Sequence, residues 1–502
     1  MVTARPRKVS AHMPRTIYRV TAALRGAWRH GTSWPWCLAA VATLCGCAVA
    51  VVFHPGYLSA DSAYQLSQAL GDQPVSDWHP PVLALLWRIL LRTTGALSTM
   101  ADLQTAVLWG SLWLLARLVW RRTGSRGLSL AMLAVGLAPQ VMNFTGVVWK
   151  DVHLAYALLA ACAVALTARE LPEDRTRTRW ALLVLGVLLI VYAGMVRKNG
   201  FPAVLPVFAL LVPATWPTPG RRRWLVATGI LVAVTVAGSV GVSAATHPLA
   251  TRVYAVIPVD DLVHVLTPAQ VRAAAEQAGG SADFRDRMVA AAVDCRKRNI
   301  TSDAYLECYP RKGPFDLMEL SRNADVLVRM ETQQMPKHWK GYAAYRVRVF
   351  SKLLFQSNQT FLNGTRLPSG DLPGIARKDL PDPTLRYALQ NYVTGSVRDL
   401  PMLFEGWFWL GVSLVLVLRR RWPGPYSREL RLIGASSLVY ILAYLPTAPE
   451  SNFRYLYWPA VSGTVALVLV ASAYVARHRA SAEGPAAPAA VPSPTRETVS
   501  TG

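Results

Sequence analysis

Residues 34–53 read WPWCLAAVATLCGCAVAVVF, twenty residues without a charge, and are followed at once by His54, Pro55, Gly56 and Tyr57. At 1.5 Å rise per residue, a helix of about 20 apolar residues crosses the hydrocarbon core of a bilayer. The segment before it, Met1 to Ser33, carries Arg5, Arg7, Lys8, Arg15, Arg19, Arg25 and Arg29. A secretory leader would be shorter and would end in a small-residue cleavage site. The block therefore reads as a first span that is kept.

The rest of the chain repeats the pattern. Apolar blocks follow at about 103–120, 127–146, 152–168, 180–196, 201–216, 224–245, 402–418, 431–447 and 456–476, giving about ten transmembrane helices. Of the 502 residues, 52% are hydrophobic and 16% charged, against roughly 25% charged in a soluble domain. These observations predict an all-α polytopic membrane protein. The net charge of +24 would suggest nucleic acid in a soluble chain. Here much of it stands in short arginine runs beside apolar blocks, which the positive-inside rule explains without nucleic acid. Arginine far outnumbers lysine and alanine and valine are abundant, a bias of GC-rich bacterial genomes.

The runs fix a threading. Arg117, Arg121, Arg122 and Arg126; Arg169, Arg175, Arg177 and Arg179; Arg221, Arg222 and Arg223; Arg419, Arg420 and Arg421; and Arg477 and Arg479 all fall on the N-terminal, cytoplasmic side if Pro80 to Thr94 is not a span. That segment holds Arg88 and Arg92 and covers only about 15 residues, too few to cross untilted. It reads as an amphipathic helix in the outer interface. The expected organisation is a basic cytoplasmic segment 1–33, a seven-span module 34–246 with a long first external loop 54–102, an extracytoplasmic domain 247–400, three C-terminal spans 401–476 and a disordered cytoplasmic tail 477–502.

The domain 247–400 is predicted to be mostly helical, over Pro268–Ala278, Ala282–Asn299, Pro314–Gln334 and Lys337–Phe355, with a Pro/Gly-rich loop over Gly364–Pro383. Cys295 and Cys308 share this external placement and are expected to form a disulfide. No Cys/His spacing resembles a zinc site.

The short external connections then carry charges on the wrong side for the positive-inside rule. The first external loop holds Asp61, Asp72, Asp77 and His79; later connections hold Lys150 and Asp151, then Arg197, Lys198 and Asn199, then Glu450 and Arg454. Several cations at one membrane face are what a membrane-embedded phosphate requires, although each alone can snorkel to headgroups. Lys198 is the expected bystander. Asp61 begins a predicted short helix, Asp61 to Leu70, as either its N-cap or a general base. Pro80 and Pro81 would hold His79, structural or catalytic, at the head of the interfacial helix.

Asp61 followed by Tyr64, then His79 before Pro80 and Pro81, resembles the GT-C class of integral membrane glycosyltransferases. The nearest branch is that of protein O-mannosyltransferases and lipid A aminoarabinose transferases. Val148 to Asp151, Arg197 to Asn199 and the Arg454–Tyr455 pair look like further external-loop motifs of related bacterial proteins. Many members of the class have Asp-Glu where here Asp61 is followed by Ser62, and the aminoarabinose branch commonly has Lys where this chain has His79. The resemblance implies a sugar transfer from a polyprenyl-phosphate donor to a glycan, lipid or protein acceptor at the outer face of the cytoplasmic membrane, with inversion. Asp61 would be the base, and His79, Lys150, Arg197 and Arg454 would bind the donor phosphate. A divalent cation is compatible with the class, and no other cofactor is implied.

Two other readings use the same residues. A transporter or flippase of a lipid-linked or anionic substrate should carry mid-span charges and paired broken helices. A non-catalytic cell-envelope assembly protein should tolerate loss of Asp61 while needing its insert.

Overall fold

The computed structural model describes residues 33–212, 220–310, 318–356 and 383–482. The expectations for 1–32, for 364–382 and for 483–502 lie outside those residues. Among the described residues the regular structure is helical, apart from two isolated parallel bridges, Tyr57 with Val147 and Ser76 with Leu249.

Helix α1 (Trp34–Phe53) is the predicted first span, and only a minority of its residues are buried. The chain then forms α2 (Ala60–Leu70) and α3 (Pro81–Thr94) before returning in α4 (Thr99–Thr123). Helix α2 is capped by Ser59, whose hydroxyl accepts from the Ser62 amide while the Ser62 hydroxyl accepts from the Ser59 amide. This reciprocal box satisfies two end amides. It also corrects the N-cap reading of Asp61, which sits in the first turn instead. Gly71 ends α2 and Gly95 ends α3 at φ of 98° and 71°, where a side chain would be strained. Arg88 of α3 donates to the carbonyls of Gln68 and Ala69 at 2.7 and 3.2 Å, supplying the C-terminal end of α2 with cationic partners.

Helices α5 (Arg126–Ala134) and α6 (Pro139–Thr145) form one apolar unit bent by 45° just before Pro139, whose ring cannot continue the preceding helix. Helix α7 (Lys150–Arg169) is the axis of the bundle, buried on nearly all sides. It is flanked by α4, α8 (Thr176–Val196) and α9 (Phe201–Leu211), while α10 (Gly220–Thr246) packs against α8 and α3. After the insert come α18 (Gly406–Leu418), α19 (Ser427–Ala443) and α20 (Tyr457–Ala482), numbered after the seven insert helices below. Within the described residues, each predicted apolar block coincides for most of its length with helix. Among the described residues, six stretches are long and apolar enough to cross a membrane, or seven if the bent α5–α6 pair is one span; α9, α18 and α19 are shorter. The chain is an all-α membrane protein.

The helices alternate in direction, so their connections sort to two ends. At one end, Arg122 meets Glu170 at 2.5 Å and lies over the Tyr426 ring, while Arg169 meets Glu429 at 3.0 Å. The arginine-rich connections thus lie together. The opposite end carries the insert and the residues of interest.

The insert builds its own core from α11 (Val256–Val265), α12 (Pro268–Gln277), α13 (Ala282–Lys297), α14 (Ala304–Glu307) and α15 (Met318–Gln334); α16 (Trp339–Phe355) contacts α11 but buries its apolar residues with the bundle, and α17 (Pro383–Asp399) packs on α6 and α1 of the bundle. Helices α11 and α17 were not anticipated. Cys295 and Cys308 are disulfide-bonded within this core. Arg346 of α16 joins insert to bundle, donating to buried Asp261 at 2.5 Å and to the Ala448 carbonyl at 3.1 Å.

Candidate functional site

Three separate stretches meet at the insert-bearing end. The strand-like segment before Asp61 is bonded to the one before Lys150: the Tyr57 amide donates to Gly146 O at 2.9 Å and the Val148 amide to Tyr57 O at 3.1 Å. Trp149 closes the same junction by donating from its indole to the Ser59 hydroxyl. These bonds place the first turn of α2 beside the first turn of α7. The third stretch is the 3₁₀ turn Phe453–Leu456, which starts the last long helix and presents Arg454.

Asp61 is the meeting point. Its Oδ2 accepts from Arg454 Nη1 at 3.0 Å and lies 3.8 Å from Lys150 Nζ. Lys150 Nζ is also 3.4 Å from His79 Nδ1, and the Tyr64 ring lies 5.9 Å from the His79 ring. Arg454 uses its other nitrogen for Glu450 at 2.9 Å and for the Tyr455 hydroxyl at 3.2 Å. Its guanidinium lies over the Trp149 and Tyr455 rings at 5.4 and 5.1 Å. The fork is therefore oriented by two carboxylates and two rings. Burial pushes the Asp61 carboxyl up, but Lys150, Arg454 and His79 outweigh it and hold the group well below the usual carboxylate range. Burial, then Lys150, push His79 down to about 3, so it is neutral near pH 7.

A second pair lies behind the first. Arg197 meets Asp151 at 2.5 Å, with 9% and 1% of the side chains exposed, and donates from Nε to the Tyr444 hydroxyl at 3.0 Å. Tyr455 links the pairs: its ring stacks on Tyr444 at 5.0 Å, lies 4.9 Å from the Arg197 guanidinium, and its hydroxyl donates to Glu450 at 2.9 Å.

Of the residues singled out from sequence, Asp61, His79, Lys150, Arg454 and Glu450 come together directly, with Tyr64 beside them and Asp151 and Arg197 behind. Asp77 stands apart, accepting from the Thr251 amide and hydroxyl at 2.6 and 2.5 Å and so fastening the His79 loop to the insert. Lys198 is exposed and Asn199 partly so, both outside this network. Trp149 and Tyr455 stand in the Val148–Asp151 and Arg454–Tyr455 motifs quoted for the resemblance, but no role for them, or for Tyr444, follows from sequence.

The arrangement is not the bare cation cluster that the sequence suggested. Lys150, Arg197 and Arg454 face Asp61, Asp151 and Glu450, three charges against three. Among the described residues no group of three or more His, Cys, Asp or Glu is placed to hold a metal ion. The two cations on Asp61 would repel a dication, so a divalent ion does not fit there. No family model, curated protein or solved structure matches the chain.

Proposed function

We propose that this chain is a membrane glycosyltransferase, similar to the GT-C class, that moves a sugar from a polyprenyl-phosphate donor to an acceptor hydroxyl. The observation that supports the reading is the convergence of Asp61 with Lys150, Arg454 and neutral His79 at one end of the membrane helices. A reaction that releases a lipid phosphate needs an anion seat and a proton acceptor side by side at the membrane surface.

In this reading Lys150 and Arg454 seat the phosphate and stabilise the charge that grows on it as it leaves. His79 can accept a hydrogen bond from Lys150 at Nδ1 and donate from Nε2 to a phosphate oxygen. The acceptor oxygen attacks the anomeric carbon and gives its proton to Asp61, and the bond from that carbon to the phosphate oxygen breaks with its electron pair going to the phosphate. One displacement inverts the anomeric centre. Arg197, tied to Asp151 and Tyr444, positions the Tyr455 ring that supports Arg454 rather than seating the phosphate itself.

The reading includes about ten spans, with the three shorter helices crossing as well, and places the insert and site on the outer face of the cytoplasmic membrane. In cells, Thr332→Cys should then react with an impermeant thiol reagent and Asp174→Cys should not. The function itself is tested by incubating the purified protein with labelled undecaprenyl- and decaprenyl-phosphate sugars and a membrane extract. Transfer of label to a glycan, lipid or protein supports it, and no turnover of any donor by folded protein opposes it.

A further inference from the structure

A carboxylate already occupies the place an incoming anion needs. Lys150 and Arg454 both converge on a single oxygen of Asp61. Arg454 is further shared with Glu450 and lies over Trp149 and Tyr455, so it cannot swing far to meet a ligand elsewhere. Both carboxylates remain reachable, with 29% of the Asp61 side chain and 31% of Glu450 exposed.

The charge balance sets the consequence. With three cations facing three carboxylates, a phosphate added to the intact cluster would bring a negative charge into a neutral, largely desolvated site, where charges a few ångströms apart repel by several kcal/mol at an effective dielectric of about 20. The phosphate can take Lys150 and Arg454 only if Asp61 gives them up. A carboxylate held by two cations is a weak proton acceptor; one released from them beside a phosphate is a stronger one.

We propose that Asp61 is the resident counter-ion of the anion seat, and that a lipid-linked phosphate displaces it from Lys150 and Arg454, freeing the carboxylate to take a proton only when the donor is bound. This rests on the transferase reading for the identity of the anion and deepens it: the base is off in the empty site and is switched on by the donor, so the donor binds first.

The test is binding, without turnover. Undecaprenyl phosphate is titrated by calorimetry into the wild type, Asp61→Asn and Glu450→Gln in lipid nanodiscs, with inorganic phosphate in a parallel arm. Removing the competing carboxylate should tighten undecaprenyl phosphate binding by roughly tenfold for Asp61→Asn and by less for Glu450→Gln, which shares only Arg454. Inorganic phosphate should bind far more weakly throughout. Unchanged or weaker binding of undecaprenyl phosphate by folded Asp61→Asn overturns the proposal. If Asp61→Asn does not fold, Glu450→Gln decides it: tighter binding supports the exchange and unchanged binding overturns it. Equal affinity for inorganic phosphate would overturn the lipid-linked identity of the ligand. The two readings fail separately: tightened binding with no sugar transfer would leave the exchange standing and remove the transferase, and transfer without tightening would do the reverse.

Discussion

Arg454 donates to Asp61 at 3.0 Å across 393 positions of sequence. The contact ties the start of the last long helix to the loop after the first, and it is the closest charge contact made by Asp61. A planar fork can serve Asp61 and Glu450 at once, whereas an ammonium is a single point charge. Arg454→Lys should therefore behave much like Arg454→Ala. Losing a charged hydrogen bond of this kind costs about 1.5–3 kcal/mol, so both variants should lose roughly ten- to a hundredfold in donor affinity or turnover. Recovery by lysine, measured by the same titration, would show that only charge is used.

The Asp151–Arg197 pair is predicted to matter first for stability. Both side chains are buried, and removing one partner of a buried pair leaves a charge uncompensated at a cost of about 3–5 kcal/mol. Asp151→Asn and Arg197→Gln should each lower the thermal unfolding temperature clearly, and the double variant should cost less than their sum. Additive losses would mean that the two residues act independently.

His79 provides a pH signature. Its imidazole is pushed down to about 3 by burial and Lys150, below the ordinary value of about 6.5. The neutral ring stabilises the fold fully above about pH 6.5, and that contribution is lost as the pH falls towards 3, because the unfolded chain takes up the proton more readily. The unfolding temperature of His79→Gln should decline less steeply than that of the wild type between those limits. Identical slopes would remove His79 from the account.

Reduction should loosen the insert. Cys295 and Cys308 close a loop with a sequence separation of 13, worth about 3 kcal/mol on the chain-entropy model. Hydrogen exchange under reducing conditions should rise across α13 and α14 before it rises in α7. Uniform exchange with and without reductant would count against a stabilising role.

Much of the frame could be read from sequence because one rule acts repeatedly. Each apolar block carries the chain from one end to the other, so alternate connections share an end, and the arginine runs mark which end. The same rule puts Asp61, Lys150, Arg197 and Arg454 at one end. The helix that begins near Asp61 and the one after Pro80 are marked locally, by turn residues and amphipathic spacing. Partner choice was not legible. Nothing local tells that Asp77 caps Thr251, 174 positions away, or that Asp151 takes Arg197 while Asp61 takes Arg454. The charge balance followed from those pairings and so was missed. The Ser59–Ser62 box is legible in the sequence, as two hydroxyl residues three apart at the start of the helix, and it competes there with Asp61, which is an equally good N-cap by residue type.

The most direct measurement is single-turnover sugar transfer by the wild type and Asp61→Asn, each saturated with its polyprenyl-phosphate sugar. Ser59 and Ser62 form the helix cap without the Asp61 side chain, so a change at Asp61 is not read through a lost cap. If Asp61 takes the acceptor proton, the variant should remain folded and bind donor at least as tightly, yet turn over about a hundred- to ten-thousandfold more slowly. Transfer by Asp61→Asn at a rate near that of the wild type would contradict the account.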